Sequence, residues 1–209
     1  MLMLYRNIIN KTKTYVKNYM DNLKDISHDY NHIKLVVNLT LKIAKKEGIY
    51  KQRDLFHLIM GALLHDVGDS KYSNIEQSIV IKNYLKQFKT LNYYDKSEII
   101  RLASNISLSK DNYVDYNLNK NKRLLKLHII QDADRINSLG AIGIMRYISY
   151  NILNHRKPSF DEIIDNMNKR TIKIRKFLKT KTGIQFASKN FKLITDFSKN
   201  YSNFLTSLK

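Results

Sequence analysis

Apolar residues recur at three- and four-residue intervals along nearly all of the 209 residues, and runs of strict polar–apolar alternation are scarce. Spacing of this kind places the apolar side chains on one face of an α-helix, whereas alternation would indicate β-strands. The pattern therefore predicts an all-α protein with about eight or nine helices.

Helix boundaries can be predicted from short local signals. Three oxygen-bearing side chains stand three positions ahead of a glutamate, the spacing of a capping box; the pairs are Ser73 with Glu76, Asp95 with Glu98, and Ser159 with Glu162. Residues that favour helix ends occur at Gly48, Pro158 and Gly183. We expect helices to begin and end near these positions.

The chain contains no internal repeat and no low-complexity linker, and its longest polar loop candidate spans residues 107–121. We therefore expect a single helical domain over residues 1–209. Within it, residues 159–209 are predicted to form a C-terminal helical hairpin packed on the rest of the chain.

Composition excludes several classes of protein. There is no cysteine, which rules out disulfides, thiolate metal sites and cysteine nucleophiles and favours a reducing, cytoplasmic setting. No uncharged run approaches the roughly 20 residues that cross a bilayer, and the N-terminus lacks the continuous apolar stretch of a secretory signal. We expect a cytoplasmic protein with no membrane partner.

The chain is strongly basic, with 37 Lys and Arg against 18 Asp and Glu and a formal net charge of +19. Clustered cations would indicate a nucleic-acid partner, but here the excess is spread along the chain. Lysine also far outnumbers arginine, and Ile and Asn are abundant, as AT-rich codons favour. Solvated helix faces are the favoured interpretation, and attraction to nucleic acid or to a phosphorylated small substrate is the alternative.

The strongest chemical signal is the segment GALLHDVGD, in which an apolar helical stretch ends in the adjacent side chains of His65 and Asp66. A carboxylate among buried aliphatic residues is costly unless a cation or hydrogen bonds compensate it. Imidazole and carboxylate together are ligands for manganese, iron, cobalt, nickel or zinc. The alternative is a structural histidine followed by a capping aspartate.

Two further residues interrupt apolar helical stretches in the same way. His32 lies at the start of a long predicted helix, and Asp132 stands between Ile129, Ile130 and Ala133. Each alone is compatible with a structural role. Four such residues from three segments, in the order H, HD, D, indicate a shared metal site.

This order resembles the HD-domain superfamily of metal-dependent phosphohydrolases, whose fold is a compact α-helical bundle. Longer segments are similar to one bacterial-type branch: HDYNHI at 28–33, IAKKEG at 43–48, ALLHDVGDSKY at 62–72 and QDADRINSLGAIGIMR at 131–146. The resemblance covers about residues 25–150. It implies that His32, His65, Asp66 and Asp132 bind one divalent ion (Mn, Mg, Co, Ni, Fe or Zn), with Mn or Mg favoured for activity.

The resemblance also implies roles around the metal. Asp69 would orient or deprotonate the attacking water, or else cap the loop; Lys71 would contact phosphate, or else lie at the surface. His28, Arg135 and Arg146 are further candidates for substrate binding. Two residues depart from the family pattern, since Leu35 replaces an arginine and Asn137 replaces an aspartate.

The function that follows is a divalent-metal-dependent phosphohydrolase acting on nucleotides or similar small phosphate esters or anhydrides. Cleavage of a nucleoside triphosphate to monophosphate and pyrophosphate is the specific reaction that the resemblance implies. An esterase of cyclic dinucleotides would need additional metal ligands that the sequence does not show. The alternative from a different class is a basic helical nucleic-acid-binding protein with a vestigial site. A homodimer is compatible with either function.

Overall fold

A computed structural model describes residues 5–23, 29–108, 111, 121–154 and 158–208. These residues form nine α-helices and no β-strand: α1 (Arg6–Leu23), α2 (Tyr30–Lys46), α3 (Gln52–Leu64), α4 (Gln77–Leu85), α5 (Tyr93–Ala103), α6 (Lys122–Asn137), α7 (Gly140–Asn154), α8 (Phe160–Phe177) and α9 (Lys181–Ser207). The predicted all-α fold and the number of helices are confirmed.

Helix α3 lies at the centre of the bundle. It contacts α1, α2, α5 and α6, and α2 in turn packs along α6. Every residue of α3 from Leu55 to Leu64 is buried, so this part of the helix is covered on all sides, as expected for a central helix. The central position of α3 directs its C-terminal end toward α2 and α6.

Two of the predicted helix boundaries are confirmed. Ser159 and Glu162 form the predicted capping box at the start of α8. Helix α2 ends at Lys46 and is followed by Gly48, whose φ of +78° is the left-handed conformation that glycine adopts without strain.

Three predicted boundaries differ from the structure. Helix α5 begins ahead of Asp95, because the Asn92 side chain caps it and accepts from the Asp95 amide. Helix α4 begins at Gln77, and Ser73 instead accepts a hydrogen bond from the Ile75 amide in a local turn. Gly183 is not a helix stop. It lies in the first turn of α9, where its amide donates to the capping hydroxyl of Thr180.

The C-terminal helices α8 and α9 pack against each other, and α9 also contacts α2, α6 and α7. The division of the chain into a motif-bearing part and a C-terminal hairpin stays a prediction. Most of the predicted loop at 107–121 lies outside the described residues. None of the described helices is both long and apolar enough to pass through a lipid bilayer.

A cluster of buried charges joins α5 to α6. The Glu98 carboxylate is fully buried and accepts hydrogen bonds from Arg101 and Arg123 at 2.9 Å, and Lys126 Nζ lies 2.9 Å from it. Burial raises the pKa of the Glu98 carboxyl, but these three cations outweigh burial and hold it well below its usual range. Glu98 is therefore ionised in the folded protein and links the two helices.

Candidate metal centre

Helix α2 supplies the first ligand candidate. Its N-terminus is capped by the Asp29 side chain, which accepts a hydrogen bond of 2.9 Å from the His32 amide. His32 lies on the same face as Ile33, Val36 and Val37, and its side chain is almost completely buried. Helix packing therefore holds the imidazole inside the bundle.

The turn after α3 supplies the next two candidates. His65 directly follows α3, and its Nδ1 lies 2.8 Å from the Ala62 carbonyl oxygen. A carbonyl only accepts, so Nδ1 carries a proton, and Nε2 is the nitrogen that faces the other side chains of the site. Gln77 fixes the same residue from the other side, because its Nε2 donates to the His65 carbonyl at 2.5 Å.

Gly68 shapes the chain between Asp66 and Asp69. Its φ is +71°, and a Cβ at this position would lie 2.9 Å from Val80 Cβ, so the turn requires glycine for both conformation and space. The Gly68 amide donates to the Tyr19 hydroxyl at 3.1 Å, which ties the turn to α1.

Four side chains converge where these elements meet α6. His32 Nε2 lies 3.3 Å from His65 Nε2, 3.4 Å from Asp66 Oδ2 and 3.4 Å from Asp134 Oδ1. His65 Nε2 lies 3.4 Å from Asp66 Oδ1 and 3.7 Å from Asp134 Oδ1. These four side chains, His32, His65, Asp66 and Asp134, are called the HHDD cluster below.

The spacing of the HHDD cluster fits a single cation. Nitrogen and oxygen ligands bind first-row divalent metals at about 2.0–2.2 Å, which puts adjacent ligand atoms roughly 3.0–3.5 Å apart. The separations among His32 Nε2, His65 Nε2 and Asp134 Oδ1, which are 3.3, 3.4 and 3.7 Å, are close to that size. Asp66 approaches the two histidines with different oxygens, Oδ2 toward His32 and Oδ1 toward His65. Two imidazoles with two carboxylates also form a donor set that suits manganese, iron, cobalt, nickel and zinc.

Electrostatics in the HHDD cluster favour a bound cation. Burial lowers the pKa of His65, but the carboxylates of Asp66 and Asp134 outweigh it and raise that pKa to about 9. Burial likewise raises the pKa of Asp134, and the two histidines reverse this effect and hold the pKa well below its usual range. The carboxylates therefore carry negative charge in a buried place, and a divalent cation would neutralise it.

Asn137 and Arg146 both contact Nδ1 of His32, the ring nitrogen that faces away from His65. Asn137 Nδ2 lies 2.6 Å and Arg146 Nη1 lies 2.8 Å from His32 Nδ1. Asn137 carries both a donor nitrogen and an acceptor oxygen, so its amide can serve either tautomer of His32, whereas Arg146 can only donate to Nδ1. The replacement of the family's aspartate by Asn137 thus keeps a hydrogen-bond partner for the ligand while removing a negative charge.

The structure corrects one predicted ligand, because Asp132 lies away from the HHDD cluster. Its Oδ2 accepts 2.7 Å hydrogen bonds from both the amide and the hydroxyl of Thr180, and the Lys179 amide donates to its Oδ1 at 3.0 Å. A residue two positions along a helix points to a different side, so Asp134 faces the histidines while Asp132 faces the start of α9.

Asp132 explains the glycine in the first turn of α9. A Cβ at Gly183 would lie 2.3 Å from Asp132 Oδ2, so only glycine lets the helix approach the carboxylate. The fully buried Asp132 therefore acts as an acceptor for the free donors at the N-terminal end of α9. Burial raises the pKa of this carboxyl to about 6, although the donors from Thr180 and Lys179 act in the opposite direction.

We expect Asp132→Ala to destabilise the protein by about 2–3 kcal/mol, because it leaves the Thr180 and Lys179 donors buried without their acceptor. Urea unfolding followed by circular dichroism measures this change. The matched control is Asp165→Ala, which removes an exposed aspartate from α8 and should change stability by less than about 0.5 kcal/mol. Equal effects of the two variants would contradict the assigned role of Asp132.

A cavity of about 510 Å³ opens beside the HHDD cluster. Its wall includes four of the predicted catalytic or substrate-binding residues, Asp69, Lys71, Arg135 and Arg146. Asp69 Oδ1 accepts a hydrogen bond of 3.0 Å from the Lys71 amide, and Lys71 Nζ lies 5.8 Å from the centre of the Tyr150 ring. The sequence placed these residues near the metal, and the structure brings them to the same cavity.

Two predicted substrate-binding residues have a different outcome. Arg135 also lines the cavity, but its Nη2 pairs with Asp111 and its Nη1 donates to the Phe177 carbonyl at 2.5 Å. These terminal nitrogens thus hold α6 to neighbouring segments, and contact of Arg135 with phosphate stays a prediction. His28 lies outside the described residues.

Several cavity residues were not identified from the sequence. Asp134 is one of them, because the sequence pattern singled out Asp132 instead. The cavity wall also contains residues from α7 and α8, namely Tyr147, Tyr150, Lys169, Arg170 and Lys173.

Comparison with known proteins identifies the family of the chain. Residues 29–139 match the family model of the HD domain. The chain is 32% identical over 162 residues to the uncharacterized protein L803 of Acanthamoeba polyphaga mimivirus, covering 71% of this chain and 62% of L803. It is 27% identical over 135 residues to the uncharacterized protein YpgQ of Bacillus subtilis, covering 64% of this chain and 62% of YpgQ. The matches thus span about three fifths of these relatives.

Solved structures share the fold. The crystal structure of Bacillus subtilis YpgQ in complex with ADP superposes with a TM-score of 0.74 at 19% identity, covering 96% of this chain and 100% of that one. An HD-superfamily hydrolase from Bacillus thuringiensis gives a TM-score of 0.72 at 24% identity, with 96% and 98% coverage.

Proposed function

Because this chain belongs to the HD domain family, we propose that it is a divalent-metal-dependent phosphohydrolase acting on nucleotides or similar small phosphate esters or anhydrides. The observation that carries this proposal is the convergence of His32, His65, Asp66 and Asp134 beside a cavity whose wall also holds cationic side chains. Carboxylates and imidazoles bind the metal, and cations bind the anionic substrate.

Each group of residues at the site has its own proposed role in the reaction. A divalent ion in the HHDD cluster would lower the pKa of a water molecule and polarise a phosphoryl oxygen. Asp69 would orient the attacking water and accept its proton, and Lys71 and Arg146 would hold the phosphate oxygens in the cavity. We place the reaction in the cytoplasm, since the chain has no cysteine.

Nucleotides are the proposed substrate class for two reasons. The family resemblance extends to a branch that hydrolyses nucleoside triphosphates, and YpgQ, which shares this fold, has been crystallised with ADP. Manganese is the proposed ion for the first assay, because it accepts both imidazole and carboxylate ligands.

The test is hydrolysis of a panel of nucleoside mono-, di- and triphosphates by the purified protein with Mn²⁺. We expect release of phosphate or pyrophosphate from at least one member, loss of the activity on chelation with EDTA, and recovery when Mn²⁺ is restored. Turnover that is unaffected by EDTA, or no turnover of any member, would contradict the proposal.

The alternative function, nucleic-acid binding, predicts a different result. Its affinity for a duplex or single strand would fall steeply with salt and would be insensitive to the chelator. The cavity favours the enzyme, because a basic surface for nucleic acid has no need of four convergent metal ligands.

A further inference from the structure

A second cleft lies at the opposite end of α3 from the HHDD cluster. It has a volume of about 380 Å³ and forms where α3, α5 and α6 begin. Its lining residues are Lys51, Arg53, Asp54, His57, Tyr94 and Lys122. Because α3 is 13 residues long, this cleft, called the α3 cleft below, lies roughly 20 Å along the helix from the metal centre. It is therefore a separate place on the molecule.

Two lysines of the α3 cleft come from different helix ends. Lys51 directly precedes α3 and is exposed, and in the described part of the chain no ion pair joins its side chain to a carboxylate. Lys122 begins α6, and its Nζ lies 3.1 Å from Asp54 Oδ2, yet about half of its side chain is exposed. The helix dipole disfavours a cation at the N-terminal end of a helix. A bound anion would offset this unfavourable placement of both lysines.

Arg53 and Tyr94 form another side of the α3 cleft. Arg53 Nε donates to Asp95 at 2.7 Å and Nη2 donates to Asn92 at 3.3 Å, which fixes the guanidinium and leaves Nη1 for a ligand. The guanidinium carbon lies 4.9 Å from the centre of the half-exposed Tyr94 ring. A guanidinium held in this way is suited to binding phosphate oxygens.

His57 lines the buried side of the α3 cleft and adds no charge to it. Its Nε2 lies 2.7 Å from Asp95 Oδ1, which accepts, and its Nδ1 lies 3.4 Å from Lys126 Nζ, which donates. Burial, and then the charge of Lys126, lower the pKa of His57, although Asp95 acts in the opposite direction. The ring is therefore neutral at pH 7.

Positive charge exceeds negative charge among the described residues around the α3 cleft. The ion pairs of this region join three carboxylates to five cations, and Lys51 is a sixth cation. The carboxylates are Asp54, Asp95 and Glu98, and their cations are Arg53, Arg101, Lys122, Arg123 and Lys126. Burial raises the pKa of the Asp54 carboxyl, but Lys122 and Lys126 outweigh burial and lower it below its ordinary value. A doubly charged anion would reduce this excess of positive charge.

We propose that the α3 cleft binds the phosphate group of a small molecule, at a site separate from the metal centre. The oxygens of a phosphate can meet Lys51, Arg53 and Lys122 from three directions, and its two negative charges offset most of the excess. A phosphodiester, as in a nucleic-acid backbone, has one charge and fewer free oxygens. The α3 cleft shares no lining residue with the cavity beside the HHDD cluster, so the proposal does not depend on hydrolysis there.

The test places a fluorescent reporter inside the α3 cleft. The chain contains no tryptophan, so Tyr94→Trp introduces a single indole beside Arg53, and its emission reports on this cleft. Orthophosphate, AMP and dimethyl phosphate are titrated in EDTA, at constant ionic strength and at about pH 8, where phosphate and its monoesters are doubly charged. We expect saturable binding of orthophosphate and AMP, and about tenfold weaker binding of dimethyl phosphate. Tighter binding of AMP than of orthophosphate would identify a monoester as the ligand, and equal or weaker binding would identify free phosphate.

Charge variants in the Tyr94→Trp background assign the binding to the α3 cleft. Lys51→Gln combined with Lys122→Gln should weaken orthophosphate binding about 5- to 30-fold, the effect expected for two exposed ion pairs. The matched control combines Lys169→Gln with Lys173→Gln, which removes the same charge from the wall of the cavity beside the HHDD cluster. It should change the Kd less than twofold.

Three results would overturn the proposal: no saturable change in emission with orthophosphate or AMP, equal affinity for dimethyl phosphate, or a Kd that the control weakens as much as the cleft variant does. Circular dichroism confirms that each variant is folded, and Lys51→Gln alone replaces the double variant if it is not. Because the titrations involve neither metal nor turnover, an inactive enzyme would reject the proposed function without changing this result.

Discussion

Asp134→Ala should lower the affinity of the protein for Mn²⁺ by more than about 100-fold, because loss of a direct ligand should exceed the roughly 10- to 100-fold cost of losing an outer-shell partner. Asp134 Oδ1 lies within 3.7 Å of both histidine Nε2 atoms, so no other side chain replaces it without rebuilding the cluster. Equilibrium dialysis with elemental analysis measures the bound metal, and the nucleotide panel should show no turnover.

The matched control is Asp132→Ala, the same substitution two positions earlier in α6. It should be less stable but should keep its Mn²⁺ affinity within about threefold of the wild type, because its carboxylate binds Thr180 and Lys179 and sits outside the range of a direct ligand. A Mn²⁺ affinity lost in Asp132→Ala and kept in Asp134→Ala would reverse the assignment and restore the ligand set expected from the sequence.

The sequence predicted the helices because their signals are local. Apolar spacing identified the helical class, and Ser159 with Glu162 marked the start of α8, since both depend only on residues within one or two turns. His32, His65 and Asp66 could be chosen because each introduces a polar group into an apolar helical stretch. Long-range contacts were not needed for any of these inferences.

The error at Asp132 has a physical cause. Two aspartates separated by one residue point to different sides of α6, and the alternating QDAD pattern does not say which side faces α2. A signal was present, because Asp134 shares its face with Asn137 and Ser138, one turn later, whereas Asp132 shares its face with Ile129 and Ile136. The polar face proved to be the one that meets His32.

The place of α8 in the cavity wall could not be predicted from sequence, because it depends on contacts between distant segments. Lys169, Arg170 and Lys173 look like any basic helix face until the packing of α7 and α9 brings that face to the cavity of α2, α3 and α6. The same holds for Gly183, whose small size matters only because Asp132 of another helix approaches it. The spacing of residues along the chain does not show which distant side chains come into contact.

The Glu98 cluster makes the fold sensitive to a single substitution. Glu98 and Lys126 are both buried, and Arg101 and Arg123 close the cluster from outside. Removing one partner of a buried ion pair leaves an uncompensated charge in a poorly solvated place, which is far more destabilising than losing an exposed pair.

Glu98→Ala should therefore lower the free energy of unfolding by about 3–5 kcal/mol at pH 7, because the two arginines lose their shared acceptor and Lys126 keeps only Asp54, at 3.3 Å, as a carboxylate partner. Urea unfolding measures this change. Asp196→Ala, which removes the carboxylate of the exposed pair with Lys192, serves as the control and should cost less than about 1 kcal/mol.

The pH dependence of this difference gives a second test. The folded-state pKa of Glu98 is lowered below its ordinary value of 4.5, so its stabilising effect is fully present above pH 4.5 and is lost as pH falls toward the folded pKa. The stability of the wild type should therefore approach that of Glu98→Ala as the solution is acidified below pH 4.5. A stability difference that stays constant down to pH 3 would show that packing of the side chain, and not its charge, joins α5 to α6.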